Sequence, residues 1–373
     1  MFFASLSVKQ YKRIQYYIMI IIVDCMGGDN APREVVRGAY LASLEYNASF
    51  ILVGDRAAIE NVAAEDGIDL RRFDIVNTES VIEMTDDPVS VVRSKSNSSM
   101  STALRLLADG RGDAVVSTGN TGALFTGATL IVRKIKGVRR AAIASILPMS
   151  PPVLLLDSGA NVVVTDEYIE QFAIMGSIFM HKVYGLQAPR VGLLNNGAEE
   201  CKGTELQLKS YRRLSELPGI NFVGNVEADK LSKNACDVLV TDGFTGNILL
   251  KCVEGMGKMM LSTMKDIFYA DAVSKISGLL IKGKIADVKK RFDPSEYGGA
   301  PLLGISKPVI KAHGSSNANA VKNAIRQAIN YANTGVIMSI VREIKSFTPE
   351  PAPSQTQESA EVSERSRENV GGK

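Results

Sequence analysis

Five glycine-bearing loops hold the residues of this 373-residue chain best suited to chemistry. Residues 24–32 read DCMGGDNAP, where Gly27 and Gly28 let the backbone approach a ligand closely between Asp24 and Asp29. Residues 117–124, STGNTGAL, run from an apolar strand straight into a helix. Ser117, Asn120 and Thr121, with the amides around Gly119 and Gly122, would make an anion site of the helix N-terminus kind. DSGAN at 157–161 ends on Asn161. TDGFTGN at 241–247 repeats the design, with Asp242, Gly243 and Thr245 leading to Gly246 and Asn247 at a helix start. HGSSNANA at 313–320 places His313, Ser315 and Ser316 before another helix.

A single turn of this kind is ordinarily only a turn and a cap. Gathered along one sheet edge, as expected, the loops together favour phosphate or a phosphorylated ligand. The common phosphate fingerprints are missing. There is no GxxxxGK[ST], no GxGxxG after the first strand and no GxSxG elbow, which disfavours a P-loop ATPase, a dinucleotide enzyme and an α/β-hydrolase. Two histidines, His181 and His313, and four scattered cysteines leave no metal-ligand spacing, so neither a metal nor a disulfide framework is expected. A net charge of +3 is too small to argue for a nucleic-acid partner. The residues alone lead to an α/β enzyme acting on a small anion.

The loops need strands to carry them. Apolar runs at 20–24, 50–55, 113–119, 153–159, 190–197, 237–243 and 309–314 each end in Gly, Asp, Asn or Ser and precede a helical stretch. This pattern predicts a mainly parallel sheet with helices on both faces, with ligands at the carboxyl ends of the strands. Helices are expected at 34–46, 101–109, 122–134, 166–184, 204–216 and 246–269, with a long amphipathic one at 317–345. Residues 1–18 read as an upstream extension before Met19, and 347–373, rich in Pro, Ser and Glu, as a disordered tail. The domain between them spans 19–346. No run is long and apolar enough to cross a membrane.

The loops resemble one family in order: DCMGGDNAP, STGNTGAL, LLLDSGAN, GLLNNGAEECKGTEL, GNVEADKL, VTDGFTGNILLKCVEG, YGGAPLLG and IKAHGSSNANAVKNAI. These eight motifs, from Met19 to about Ile344, are similar to those of the bacterial phosphate:acyl-ACP acyltransferases of the PlsX type. Cys25 and Ser158 depart from the small apolar residues usual there, and Asn196 lies where the family varies. The resemblance implies a fold similar to isocitrate and isopropylmalate dehydrogenases and to phosphate acetyltransferase, in a homodimer without cofactor. It also implies that acyl carrier protein (ACP) and inorganic phosphate are the substrates. The product, acyl phosphate, would pass to a glycerol-3-phosphate acyltransferase in phosphatidic acid synthesis.

Phosphate is a competent nucleophile, so the enzyme must hold it, stabilise an oxyanion and assist the leaving thiolate. With the resemblance, Lys202 in ECKGTEL becomes the expected cation and Asn247 a hydrogen-bond donor; His313 positions phosphate or donates a proton. Without it, Lys202 reads as a solvated surface lysine and His313 as a cap. Cys25 and Cys201 lie near motifs, but a covalent acyl-cysteine would need an adjacent base. Residues 275–292, KISGLLIKGKIADVKKRF, place Ile276, Leu279, Leu280 and Ile281 at the tip of a basic hairpin spanning about 270–295, with Gly278 and Gly283 as possible breaks. The hairpin reads as a membrane-surface contact or as a helix pair packed on a partner. The resemblance favours the former, giving a cytoplasmic protein held peripherally at the inner face of the membrane. A coenzyme A-dependent acetyl- or butyryltransferase and a non-catalytic scaffold are the competing readings. A dehydrogenase would need a dinucleotide fingerprint and an Asp cluster.

Overall fold

The computed structural model describes residues 18–292 and 294–347. The expectations for residues 1–17 and for the tail beyond 347 lie outside the described residues. The chain opens with β1 (Met19–Asp24), α1 (Arg33–Glu45), β2 (Ala48–Gly54), α2 (Arg56–Asp66), β3 (Phe73–Asn77), α3 (Ser99–Ala108), β4 (Ala114–Ser117) and α4 (Thr121–Gly127). It continues through β5 (Ala142–Leu147), β6 (Val153–Leu156), α5 (Asp166–Tyr184), β7 (Arg190–Leu194), α6 (Glu205–Ser215), β8 (Asn221–Val226), β9 (Val238–Val240) and α7 (Gly243–Tyr269). The last elements are α8 (Ala272–Leu280), α9 (Lys282–Phe292), α10 (Pro294–Tyr297), β10 (Ala300–Leu303), β11 (Val309–Lys311), α11 (Ala318–Asn333) and α12 (Val336–Phe347).

One sheet of eleven strands runs β3-β2-β1-β4-β11-β10-β5-β6-β9-β7-β8. Strand alternation sorts its side chains onto two faces. Ile21 and Val23 pack with Val36, Ala39 and Val321 beneath α1 and α11, whereas Ile22 packs with Leu104 and Leu107 of α3. The apolar strands are buried because helices cover both faces, as the sequence predicted.

The sheet corrects one expectation. β10 pairs antiparallel with both β11 and β5, and β5 pairs antiparallel with β6; the other pairings are parallel. Three reversals in succession leave β6, β9, β7 and β8 running opposite to β1, β4 and β11. The carboxyl ends of the two halves therefore point opposite ways along the sheet, and the loops form two clusters instead of one edge. A second correction concerns 317–345, which is two helices. Gly335, with φ 67, adopts the left-handed conformation between α11 and α12.

Candidate active site

The first cluster gathers where β1, β4 and β11 end. Asp24 is fully buried, accepting from Ser117 Oγ at 2.6 Å, and Gly119 N–H in turn donates to Ser117 Oγ at 3.1 Å. Burial pushes the Asp24 carboxyl up, against the hydrogen bonds from Ser117 and Ser99 and the nearby Lys311 ammonium. Gly27 is glycine because a Cβ there would lie 2.6 Å from the Gly119 Cα. Asp29 N–H donates to Gly314 O at 2.9 Å, stitching the first loop to the last. Asn120 Oδ1 caps Ala123 N–H at 3.0 Å while its amide holds Met84 O at 2.9 Å, so this side chain organises the loop. Gly122 leaves room for Pro88, and Thr121 is exposed at the start of α4.

His313 and Ser315 are exposed on the loop after β11, with His313 Nδ1 2.9 Å from Ser315 Oγ. Ser316 is buried, its hydroxyl donating to His313 O at 2.6 Å. Loss of water lowers the His313 pKa, and Lys251, Lys311 and Lys258 add to this, while Glu254 opposes it.

The second cluster forms where β6 and β9 end. Asp157 is buried and accepts from the amides of Ile143 at 3.1 Å, Gly159 at 3.1 Å, Ala160 at 3.0 Å and Asn161 at 2.7 Å. Asn161 Nδ2 adds a bond to the same carboxylate at 2.8 Å and another to Ala141 O at 2.8 Å. The DSGAN amides thus turn inward onto their own aspartate. Burial raises the Asp157 pKa despite these donors. Asp242 caps α7 by accepting from Thr245 N–H and Thr245 Oγ1, each at 2.8 Å. Gly243 N–H donates to Asn161 O at 2.7 Å, and Gly246 packs so tightly that a Cβ would lie 1.9 Å from Asp157 O. Asn247 lies beside Gly159.

Lys202 is exposed on the loop after β7, the strand next to β9, with its chain over Gly197. Asn195 Nδ2 braces that loop by donating to Lys202 O at 3.1 Å. Cys201 is exposed; Cys25 is buried and its thiol is pushed up by burial, which removes it as a nucleophile. His181 Nδ1 lies 2.7 Å from Leu186 O at the end of α5, a structural place.

Helix α7 joins the clusters. Asn247, Lys251, Glu254 and Lys258 recur at helical spacing along one face. Asn247 sits at Gly159, and Lys251 acts on both His313 and Lys311. Lys251 and Glu254 pair at 2.8 Å. The sequence reading missed this stripe and missed Lys311; the i, i+4, i+7, i+11 pattern of polar residues in an otherwise apolar helix was the available signal. Among the described residues no His, Cys, Asp and Glu cluster could hold a metal.

A family model described as fatty acid synthesis protein matches residues 19–339. A phosphate acyltransferase of Clostridioides difficile (strain 630) is 43% identical over 334 residues, covering 89% of this chain and 98% of that protein. One from Bacillus subtilis (strain 168) is 44% identical over 330 residues, covering 88% and 98%. The fold is similar to that of a phosphotransacetylase from Streptococcus pyogenes (TM-score 0.57, 17% identity, 84% of this chain and 94% of that one). It is also similar to a branched-chain phosphotransacylase from Enterococcus faecalis V583 (TM-score 0.52, 15% identity, 85% and 100%).

Proposed function

The chain belongs to the phosphate acyltransferases of the fatty acid synthesis protein family, enzymes of acyl transfer to phosphate, and from that premise we propose that its acyl donor is acyl-ACP. Acyl phosphate and free ACP would be the products, and a glycerol-3-phosphate acyltransferase would consume the former in phosphatidic acid synthesis. The observation that carries the reading is the α7 stripe, which runs from Asn247 at Gly159 in one loop cluster to Lys251, whose charge is felt at His313 and Lys311 in the other.

Phosphate dianion attacks the thioester carbonyl, forming the carbon–oxygen bond as the carbon–sulfur bond breaks. The proton that phosphate gives up goes to the departing thiolate, so no outside acid or base is consumed. In this reading the loops at 118–122 and 313–316 hold phosphate, with His313 orienting it. Asn247 donates to the carbonyl oxygen as charge develops, and Lys202 stabilises the thiolate.

The arm made by α7, α8 and α9 supports two further parts of the reading. Phe244, Ile248, Met256 and Met259 are exposed along α7, a surface suited to a second copy in a homodimer. Farther out, Ile276, Leu280 (82% exposed) and Ile281 are exposed beside Lys275, Lys282 and Lys284. The Leu279 side chain lies outside the described residues. An apolar tip among lysines suits peripheral contact with an anionic membrane, from the cytoplasmic side, and the basic flank suits the acidic carrier. The chain turns between α8 and α9 at Ile281, with Gly278 and Gly283 inside the two helices. Among the described residues no helix is long and apolar enough to span a bilayer.

The test is phosphate-dependent release of ACP thiol from palmitoyl-ACP by purified protein without added metal. Lys202→Ala is expected to lower kcat by about a hundredfold, the scale of losing one transition-state contact. Turnover with acyl-coenzyme A alone would move the chain to the coenzyme A-dependent transferases.

A further inference from the structure

Lys311 is the only buried basic residue among the described residues, 8% exposed at the last position of β11. Its Nζ donates to Thr118 O at 3.3 Å and to Ala312 O, so one ammonium ties the end of β4 to the end of β11. Asp24 from β1 and Asp29 from the following loop act as its counter-charges, and Lys251 of α7 as a like charge. Burying an ion costs several kcal/mol, and a methionine of similar length would fill this space without that cost. Packing alone therefore gives no reason for lysine here. Charge does: Asp24 and Asp29 alone would repel an arriving dianion, and a buried cation counters them where water screens poorly.

We propose that Lys311 is a positioning residue for the phosphate nucleophile, fixing the loops at 118–122 and 312–316 through the Thr118 and Ala312 carbonyls while offsetting Asp24 and Asp29. The assignment rests on the reading that these loops receive phosphate. It also makes phosphate binding depend on the lysine's proton. Loss of water brings the ammonium down to about 8, so its charge is present below that pH and is lost as pH rises through it. Arginine keeps its charge across the same range.

The experiment is equilibrium dialysis of inorganic phosphate against the full chain, together with steady-state thiol release, for the wild type, Lys311→Met and Lys311→Arg. Lys311→Met is expected to weaken phosphate binding and raise its KM by about tenfold or more, or about 1.4 kcal/mol, with the acyl-donor KM changed by less than about twofold. Wild-type phosphate affinity should fall as pH rises through about 8, and Lys311→Arg should not show this fall. A folded Lys311→Met with unchanged phosphate binding overturns the proposal. So does an equal loss for both substrates accompanied by a lowered Tm, which marks a purely structural lysine. If the methionine variant does not fold, the pH comparison decides: wild-type affinity that stays flat through about 8 overturns it. Phosphate binding that follows these rules in a chain that releases no thiol from any acyl donor supports Lys311 and defeats the acyl-transfer reading instead.

Discussion

Two aspartates show how the site is made at the scale of single residues. Asp24 at the end of β1 and Asp157 just after β6 are both buried; Asp157 spends its oxygens on the amides of its own loop, whereas Asp24 accepts from Met26 N–H of its own loop and from Ser117 Oγ of β4. Reading amides after a strand as phosphate donors overlooks this internal competitor, because an aspartate at the strand's end reaches those amides before any ligand does. Asp157→Ala would strand four backbone N–H groups without an acceptor. It should cost about 3–5 kcal/mol, the range for removing one partner of a buried charged contact. Chemical denaturation checks this, and a loss under about 1 kcal/mol would mean water replaces the carboxylate. Lys311 escaped the sequence reading for a related reason. Within VIKAHG it reads as the polar end of a strand, and only the pairing of β11 with β4 reveals that it is enclosed.

At the scale of elements, the strands with continuous apolar runs were legible and the others were not. β1, β2 and β6 announce themselves as IIIV, FILV and VLLL. β3 (FDIVN) and β8 (NFVGNV) are sheet edges with polar interruptions, and β10 (APLL) carries a proline, so none stands out from its surroundings. β5 (AIASIL), broken by alanine and serine, is equally quiet, so the antiparallel pairings of β10 with β5 and of β5 with β6 were invisible, and with them the reversal that splits the loops into two clusters. Joining them falls to α7, whose anchorage depends on Gly246. Gly246→Ala, with its Cβ 1.9 Å from Asp157 O, should displace the helix start and cost about 1–3 kcal/mol along with most activity. Gly255 lies on the same helix, exposed, with nothing within 4 Å of an added Cβ. Gly255→Ala should therefore stabilise by about 0.5–1 kcal/mol and leave activity intact. Thermal melts and thiol release on the pair separate helix propensity from helix placement, and equal behaviour of both variants would refute the anchoring role.

Across the whole molecule the charge is nearly balanced at +3, yet its distribution is not. Lysines 275, 282, 284 and 290 are exposed on α8 and α9, around apolar side chains that no described element covers. The sequence made this hairpin legible because its composition departs from its surroundings; what it meets is a matter of which surface wins. An apolar tip and a basic flank act through different physics, so they can be separated. Ile276→Glu with Leu280→Glu should abolish flotation with anionic vesicles while leaving the KM for acyl-ACP in solution within about twofold, since burial of apolar area is what holds a helix at an interface. Lys282→Glu with Lys284→Glu should raise the KM for acyl-ACP several-fold at low salt. That effect should fade as salt approaches about 0.5 M, where screening shortens electrostatic reach to about 4 Å. The KM for inorganic phosphate should not move in either variant if, as proposed, phosphate is held by the loops after β4 and β11 and not by α8 or α9. If the glutamate tip variant floats as the wild type does, the apolar tip faces protein and not lipid, and the proposed membrane contact is refuted.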